Sequence, residues 1–248
     1  MTCVLDAKGL YKLEWFQMSK KVPSSQKVPL PKLEIHPSIL AGDFGRLADE
    51  AKRAEDAGAD ALHLDIMDGH FVPNLTMGPK AVAAINRATN LFLDVHLMIY
   101  NPYEFIEQFI EVGADRIIFH FEATEDIEET LDYIKKCGIK RGLAFCPETS
   151  QEMALRYLGQ TDMVLLMTVN PGFGGQAFMP EVLEKIRYTR EMCNRQNLPL
   201  DIQVDGGINN ETAKLCVEAG ANQLVAGTHL YKAPDMKEAI AKLRRLAK

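Results

Sequence analysis

From Glu34 onward the chain changes its apolar period again and again. A short apolar run that reads as a strand is followed by a longer run whose apolar residues line one face of a helix. The strand candidates are EIHPSIL (34–40), ALHLDI (61–66), LFLDVHLM (91–98), RIIFHF (116–121), KRGLAF (140–145), MVLLMTV (163–169), DIQVD (201–205) and QLVAG (223–227). The intervening patterns, among them RLADEAKRAEDAG, PEVLEKIRYTREMCNR and NETAKLCVEAG, read as helices. Strict alternation implies a parallel sheet, because parallel neighbours need a long crossover and each crossover here is a helix. Eight such pairs predict a (β/α)8 TIM barrel over residues 33–248, close to the usual size of about 250 residues.

Residues 1–32 do not share that pattern. SKKVPSSQKVPLPK is rich in Lys, Ser and Pro and has no period, which predicts a flexible N-terminal extension. Met18 stands directly before it, so a start at Met18, with a mis-called start upstream, is one reading. An ordered arm carried by Leu10, Tyr11, Leu13, Trp15 and Phe16 is the other.

The net charge of −6 and the lack of a basic stripe argue against nucleic acid as a partner. An acidic chain that handles an anionic metabolite must concentrate positive potential locally, through backbone amides or a metal. The five cysteines are odd in number and form no C-x-x-C pair, which suits a reduced, cytoplasmic chain. No apolar run has the length of a membrane span.

The stretch HLDIMDGHFVPNLTMG (63–78) carries the chemistry. Alternate residues of a barrel strand point inward, and barrel active sites lie at the C-terminal strand ends. His63, Asp65 and Met67 then face in, with Leu64 and Ile66 under the helices. Asp94, His96 and Met98 share the inner face of the third strand, and Gln203 and Asp205 that of the seventh. Any one of these is most simply a hydrogen-bonded core residue. His63, Asp65, His96 and Asp205 at one opening, two imidazoles and two carboxylates, predict a divalent-metal site. His120 reads as a satisfied polar residue or a support to that site. Asp68-Gly69 reads as a turn, with His70-Phe71 beginning a covering loop. Asp43 reads as support for the first loop.

Three glycine-bearing loops follow strands six to eight: Asn170-Pro171-Gly172-Phe173-Gly174-Gly175-Gln176, Gly206-Gly207-Ile208 and Ala226-Gly227-Thr228. Glycine lets backbone N–H groups approach a phosphate closely, and barrels commonly bind one at this quadrant.

PSILAGDF (37–44), HLDIMDGHFVPNLTMGP (63–79), DVHLM (94–98), NPGFGGQAF (170–178), VDGGIN (204–209) and VAGT (225–228) together resemble, in order, the motifs of the ribulose-phosphate 3-epimerase family. The resemblance implies an isomerase of the pentose phosphate pathway that interconverts D-ribulose 5-phosphate and D-xylulose 5-phosphate through an enediolate. It implies one divalent metal ion, Zn or Fe(II), with Mn and Co also compatible with His/Asp ligands. The ligands would be His63, Asp65, His96 and Asp205, with Asp65 and Asp205 also the acid/base pair. Ser38, His96, Asp205 and the glycine loops through Thr228 would contact substrate. Met67, Met98 and Met167 match methionines lining that family's site and would form an apolar collar. A sugar phosphate partner and a homo-oligomer are implied as well. The chain departs from the pattern at Ala41-Gly42, where Ser-Ala is frequent, at Thr228, where Ser is frequent, and at Phe145-Cys146, where Leu-Asn is common. An epimerase of another ketose phosphate, such as a six-carbon one, and a non-catalytic sugar-phosphate sensor are the alternatives. A related decarboxylase would want a lysine in Asp65-Ile66-Met67-Asp68, and none is there.

Overall fold

The computed structural model of the chain describes residues 31–247, and further forward two short segments, Val4–Leu5 and Tyr11–Lys12, which pair antiparallel. The flexible extension, the start at Met18 and the ordered arm considered for residues 1–32 fall almost wholly outside the described residues.

Eight parallel strands form the barrel: β1 Glu34–Pro37, β2 Ala61–Met67, β3 Phe92–Met98, β4 Arg116–His120, β5 Lys140–Phe145, β6 Met163–Met167, β7 Asp201–Asp205 and β8 Gln223–Ala226. Each strand from β2 to β8 is hydrogen-bonded to its sequence neighbour, and β8 returns to β1. A single parallel bridge between Ser38 and His63 brings β1 against β2, so the barrel is nearly closed. The (β/α)8 expectation is borne out, most strand limits to within a residue or two.

The differences have local causes. The run 34–40 is extended only to Pro37, after which Ile39–Ala41 tightens into a 3-10 turn. The run 163–169 pairs as a strand only to Met167: the Thr168 N–H makes the last rung to the Asp205 carbonyl, and the Thr168 hydroxyl donates to the carbonyls of Asp205 and Gly206 where β7 ends. An extra one-turn helix, Thr228–Tyr231, follows β8 before the last helix begins at Met236, capped by Asp235.

Leu64 and Ile66 lie in the large apolar layer between sheet and helices, as strand parity requires. The barrel interior itself is divided. Ile118, Ala144, Met163, Leu165 and Met167 fill one side. His36, His63, Asp65, Asp94, His96, Arg116, His120, Gln203 and Gln223 are buried on the other. A polar interior of that size must be internally paired, and its pairing positions the site.

Candidate active site at the barrel mouth

The polar half is organised around Asp94, which is fully buried on β3. Its Oδ1 accepts from Arg116 Nε at 2.6 Å, and its Oδ2 lies 2.7 Å from Gln203 Nε2 and 3.0 Å from His63 Nδ1. Burial would raise the Asp94 carboxyl, but the Arg116 guanidinium and the bonds from His36 and His63 hold it well below the usual carboxylate range. Asp94 is therefore a permanent anion, and it keeps the proton of neutral His63 on Nδ1. His63 Nε2 then faces the mouth with a lone pair.

A second chain of bonds orients His96. Its Nε2 lies 2.9 Å from His120 Nε2, and His120 Nδ1 lies 3.1 Å from Glu122 Oε2. Glu122 can only accept, so His120 carries its proton on Nδ1 and His96 donates from Nε2. His96 Nδ1 is thus also a bare lone pair.

These lone pairs meet. His63 Nε2 and His96 Nδ1 are 3.3 Å apart, and Asp65 Oδ1 is 3.4 Å from the first and 3.3 Å from the second. Asp205 Oδ2 completes the group at 4.0 Å from His63 Nε2. One donor atom from each of the four residues lies within 4.8 Å of the others. Electron-rich atoms at this spacing repel unless a positive charge sits among them. Ligand–ligand edges around a tetrahedral ion with bonds of 2.0–2.1 Å are about 3.3 Å. His63, His96 and Asp65 match that spacing and Asp205 stands wider, so the donor set fits a divalent transition-metal ion in its chemistry and, for three of its four members, in its spacing. The same demand for charge acts on protons. Burial alone would lower His63, yet Asp65 and Asp94 carry it up to about 10, while burial together with the charges of His120 and His63 takes His96 down to about 4.

The two carboxylates are driven apart. Burial would raise Asp65, but His63 and His96 hold it below the usual range, and Ser38 Oγ donates to its Oδ2 at 2.6 Å. Asp205, reached from the other side of β1 and β8, is raised by burial and then by the charge of Asp65. At neutral pH one carboxylate is firmly ionised and its neighbour is close to protonation.

Both face a cavity of about 380 Å³, within the range of small-ligand sites. Ser38, Met67 and Met167 line it near the carboxylates, and Phe173, Gly174, Gly175, Gly206, Gly207, Gly227 and Thr228 line the outer end. Gly207 takes φ +64°, and a Cβ there would meet the Phe178 backbone at 2.8 Å, so only glycine fits this turn. Gly172, His96 and Met98 stand back from the cavity wall. The Gly172 carbonyl accepts from Asn74 Nδ2 at 2.8 Å, which ties the loop after β2 to the loop after β6. Met98 packs under Met67 and Val72. Asp68 is the loop anchor that its position suggested, accepting from the backbones of His70, Phe71 and Tyr100. Asp43 accepts from Gly45 N in the first loop.

Four contributors carried little or no sequence signal. Lys232 and His229 also line the cavity, and Lys232 is the cationic side chain there. Glu122 and Arg116 act through the histidines and Asp94, and inward strand parity could have drawn attention to Arg116.

Fold and site together define an α/β-barrel enzyme that works at the C-terminal rim of its strands. The sequence pattern of the ribulose-phosphate 3 epimerase family matches residues 34–231. A ribulose-phosphate 3-epimerase from Chlamydia pneumoniae is 54% identical over 204 residues, covering 82% of this chain and 89% of the relative. One from Bacillus subtilis (strain 168) is 47% identical over 213 residues, covering 86% and 98%. The chain belongs to the ribulose-phosphate 3-epimerase family, and it is an enzyme, an isomerase acting on carbohydrates. Among solved structures, the KGPDC of Streptococcus mutans superposes with TM-score 0.63 at 11% identity, covering 87% of this chain and 97% of that one. The orotidine 5'-phosphate decarboxylase of Pyrococcus horikoshii OT3 gives 0.61 at 18%, covering 86% and 98%. At these identities only the fold is shared. Among the described residues no helix is long and apolar enough to cross a membrane.

Proposed function

We propose that this chain interconverts D-ribulose 5-phosphate and D-xylulose 5-phosphate by inverting C3, with Asp65 and Asp205 as the two proton carriers. The observation that carries the reading is the pair itself. Two carboxylates reach one cavity from different sides of the mouth, and their surroundings push their proton affinities in opposite directions. Inversion requires a proton removed from one face of a planar intermediate and another delivered to the opposite face. Asp65, ionised, takes the C3 proton, and the electrons of the C–H bond move toward the C2 carbonyl to give an enediolate. Asp205, carrying a proton, delivers it to the other face, and the roles exchange in the reverse direction. Ser38 holds Asp65 by a bond to Oδ2.

His63, Asp65, His96 and Asp205 would hold a divalent cation, which when bound supplies Lewis-acid stabilisation of the charge developing on the substrate oxygens. The methionines at the wall, Met67 and Met167, with Met98 packed behind Met67, keep water from the reacting carbon. Gly174, Gly175, Gly207, Gly227 and Thr228 receive the phosphate on backbone N–H groups and a hydroxyl, with Lys232 at the same end.

The test is solvent exchange. In deuterium oxide the enzyme should place deuterium at C3 of ribulose 5-phosphate, and Asp205→Asn should lower turnover by about 10²–10⁴-fold while the fold is kept. No deuterium at C3 with the divalent-cation-loaded wild type, or an unchanged rate in the variant, refutes the assignment.

A further inference from the structure

Behind the quartet lies a second group with ligand chemistry. His120, Glu122 and Cys146 each offer one donor atom, and these lie within 4.8 Å of one another. Glu122 Oε2 is 3.1 Å from His120 Nδ1, and Cys146 Sγ is 3.6 Å from the same nitrogen. For a tetrahedral ion with N and O at 2.0–2.1 Å and S at 2.3 Å, the expected edges are about 3.3 Å for N–O and about 3.6 Å for N–S. The group opens outward at Glu122, whose other oxygen accepts from Cys146 N and from the Thr149 hydroxyl. The nearby cation, Lys185, donates to the carbonyls of Cys146, Pro147 and Thr149 on the far side of the same loop.

We infer that His120, Glu122 and Cys146 form a second cation site, for a thiophilic divalent ion such as Zn²⁺, whose filling opposes filling of the first. A nucleophilic or redox role for this thiol does not suit its setting, since burial and then the Glu122 charge push it well above the usual thiol range and keep it protonated. A bound cation reverses that balance by displacing the thiol proton to solvent.

The antagonism follows from counting protons, and it rests on the first-site reading above. Counted in their neutral forms, His96 and His120 share two N–H protons among four nitrogens. One proton occupies the 2.9 Å contact between their Nε2 atoms. The other sits at one end of the pair. With it on His120 Nδ1, beside Glu122, His96 Nδ1 is free for the first ion. An ion on His120 Nδ1 drives it to His96 Nδ1, where it blocks the first site. Disturbing a ligand histidine's partner typically lowers metal affinity by 10–100-fold, and the effect must be reciprocal.

Co²⁺ added to the chelator-stripped full chain tests this, because the first site has no sulfur donor. The expected result is two equivalents bound, the weaker one bringing a near-ultraviolet thiolate-to-cobalt charge-transfer band. Cys146→Ser should bind one equivalent without that band. His63→Asn should keep the band and bind at the second site about 10–100-fold more tightly than the wild type does. One equivalent that carries the band in the wild type supports the second site and sinks the cation role of the quartet. Absence of the band at saturating Co²⁺, or its persistence in Cys146→Ser, overturns the second site. Equal second-site affinity in His63→Asn and wild type overturns the antagonism.

Discussion

Replacing Arg116 by Met tests what holds the polar half of the barrel together. Arg116 is buried, its Nε lies 2.6 Å from Asp94 Oδ1, and one terminal nitrogen donates to Gln223 Oε1 at 3.0 Å. Methionine roughly keeps the side-chain length and deletes the charge. Asp94 is then a fully buried anion without its main counter-charge. Removing one partner of such a pair lowers stability by about 3–5 kcal/mol. Asp94 retains bonds from Gln203 and His63 on its other oxygen, which places this case near the lower figure, about 3 kcal/mol. Against a total of about 5–15 kcal/mol that is a large fraction. For a chain of this size it corresponds to a fall in Tm of about 6–12 °C. The assay is urea unfolding followed by circular dichroism, read as a change in midpoint at constant slope. The double variant Arg116→Met/Asp94→Asn should regain about half of the loss or more, because the amide needs no counter-charge and still accepts from His63. A single variant within about 1 kcal/mol of wild type, or a double variant no more stable than the single, refutes the reasoning.

Three further outcomes are expected. Gly207→Ala places a Cβ against the Phe178 backbone at φ +64° and should raise KM for the sugar phosphate more than it lowers kcat; steady-state kinetics with an unchanged KM would count against the glycine loop as the phosphate end. Burial would raise Glu122, but His120, Thr149 and the Cys146 amide hold it down to about 2. Its contribution to stability, of order 2 kcal/mol or less at one-quarter exposure, is therefore present above about pH 4.5 and lost as pH falls toward 2; urea midpoints of wild type and Glu122→Gln should converge over that interval. Chelation should abolish turnover and a divalent cation should restore it, whereas full activity in the exhaustively stripped enzyme would remove the cation from the mechanism.

Much of the site was legible because strand parity is a local rule. Alternation in HLDIM and DVHLM placed His63, Asp65, His96 and Met98 inward without any knowledge of neighbouring strands. The Gly206-Gly207 turn and the Asp68 anchor were likewise visible, since turn chemistry depends on a few adjacent residues. Residues that act across strands were not. Asp94 shares a face with His96, yet its role is to orient His63 on β2, with Arg116 from β4 and Gln203 from β7. Cys146 stood out only as a departure from a pattern, and His120 only as a buried polar residue.

By itself, then, the sequence determined eight strand–helix units, the inward face of each strand and the residue types gathered at the mouth, because periodicity and turn propensity act over a few residues. Which nitrogen of His63 and of His96 faces that mouth, how far Asp65 and Asp205 are driven apart, and the meeting of His120 with Glu122 and Cys146 were decided only when the barrel nearly closed. Those properties depend on distances of about 3 Å between side chains far apart in the chain, and on burial that turns each such contact into a constraint on protons and charge.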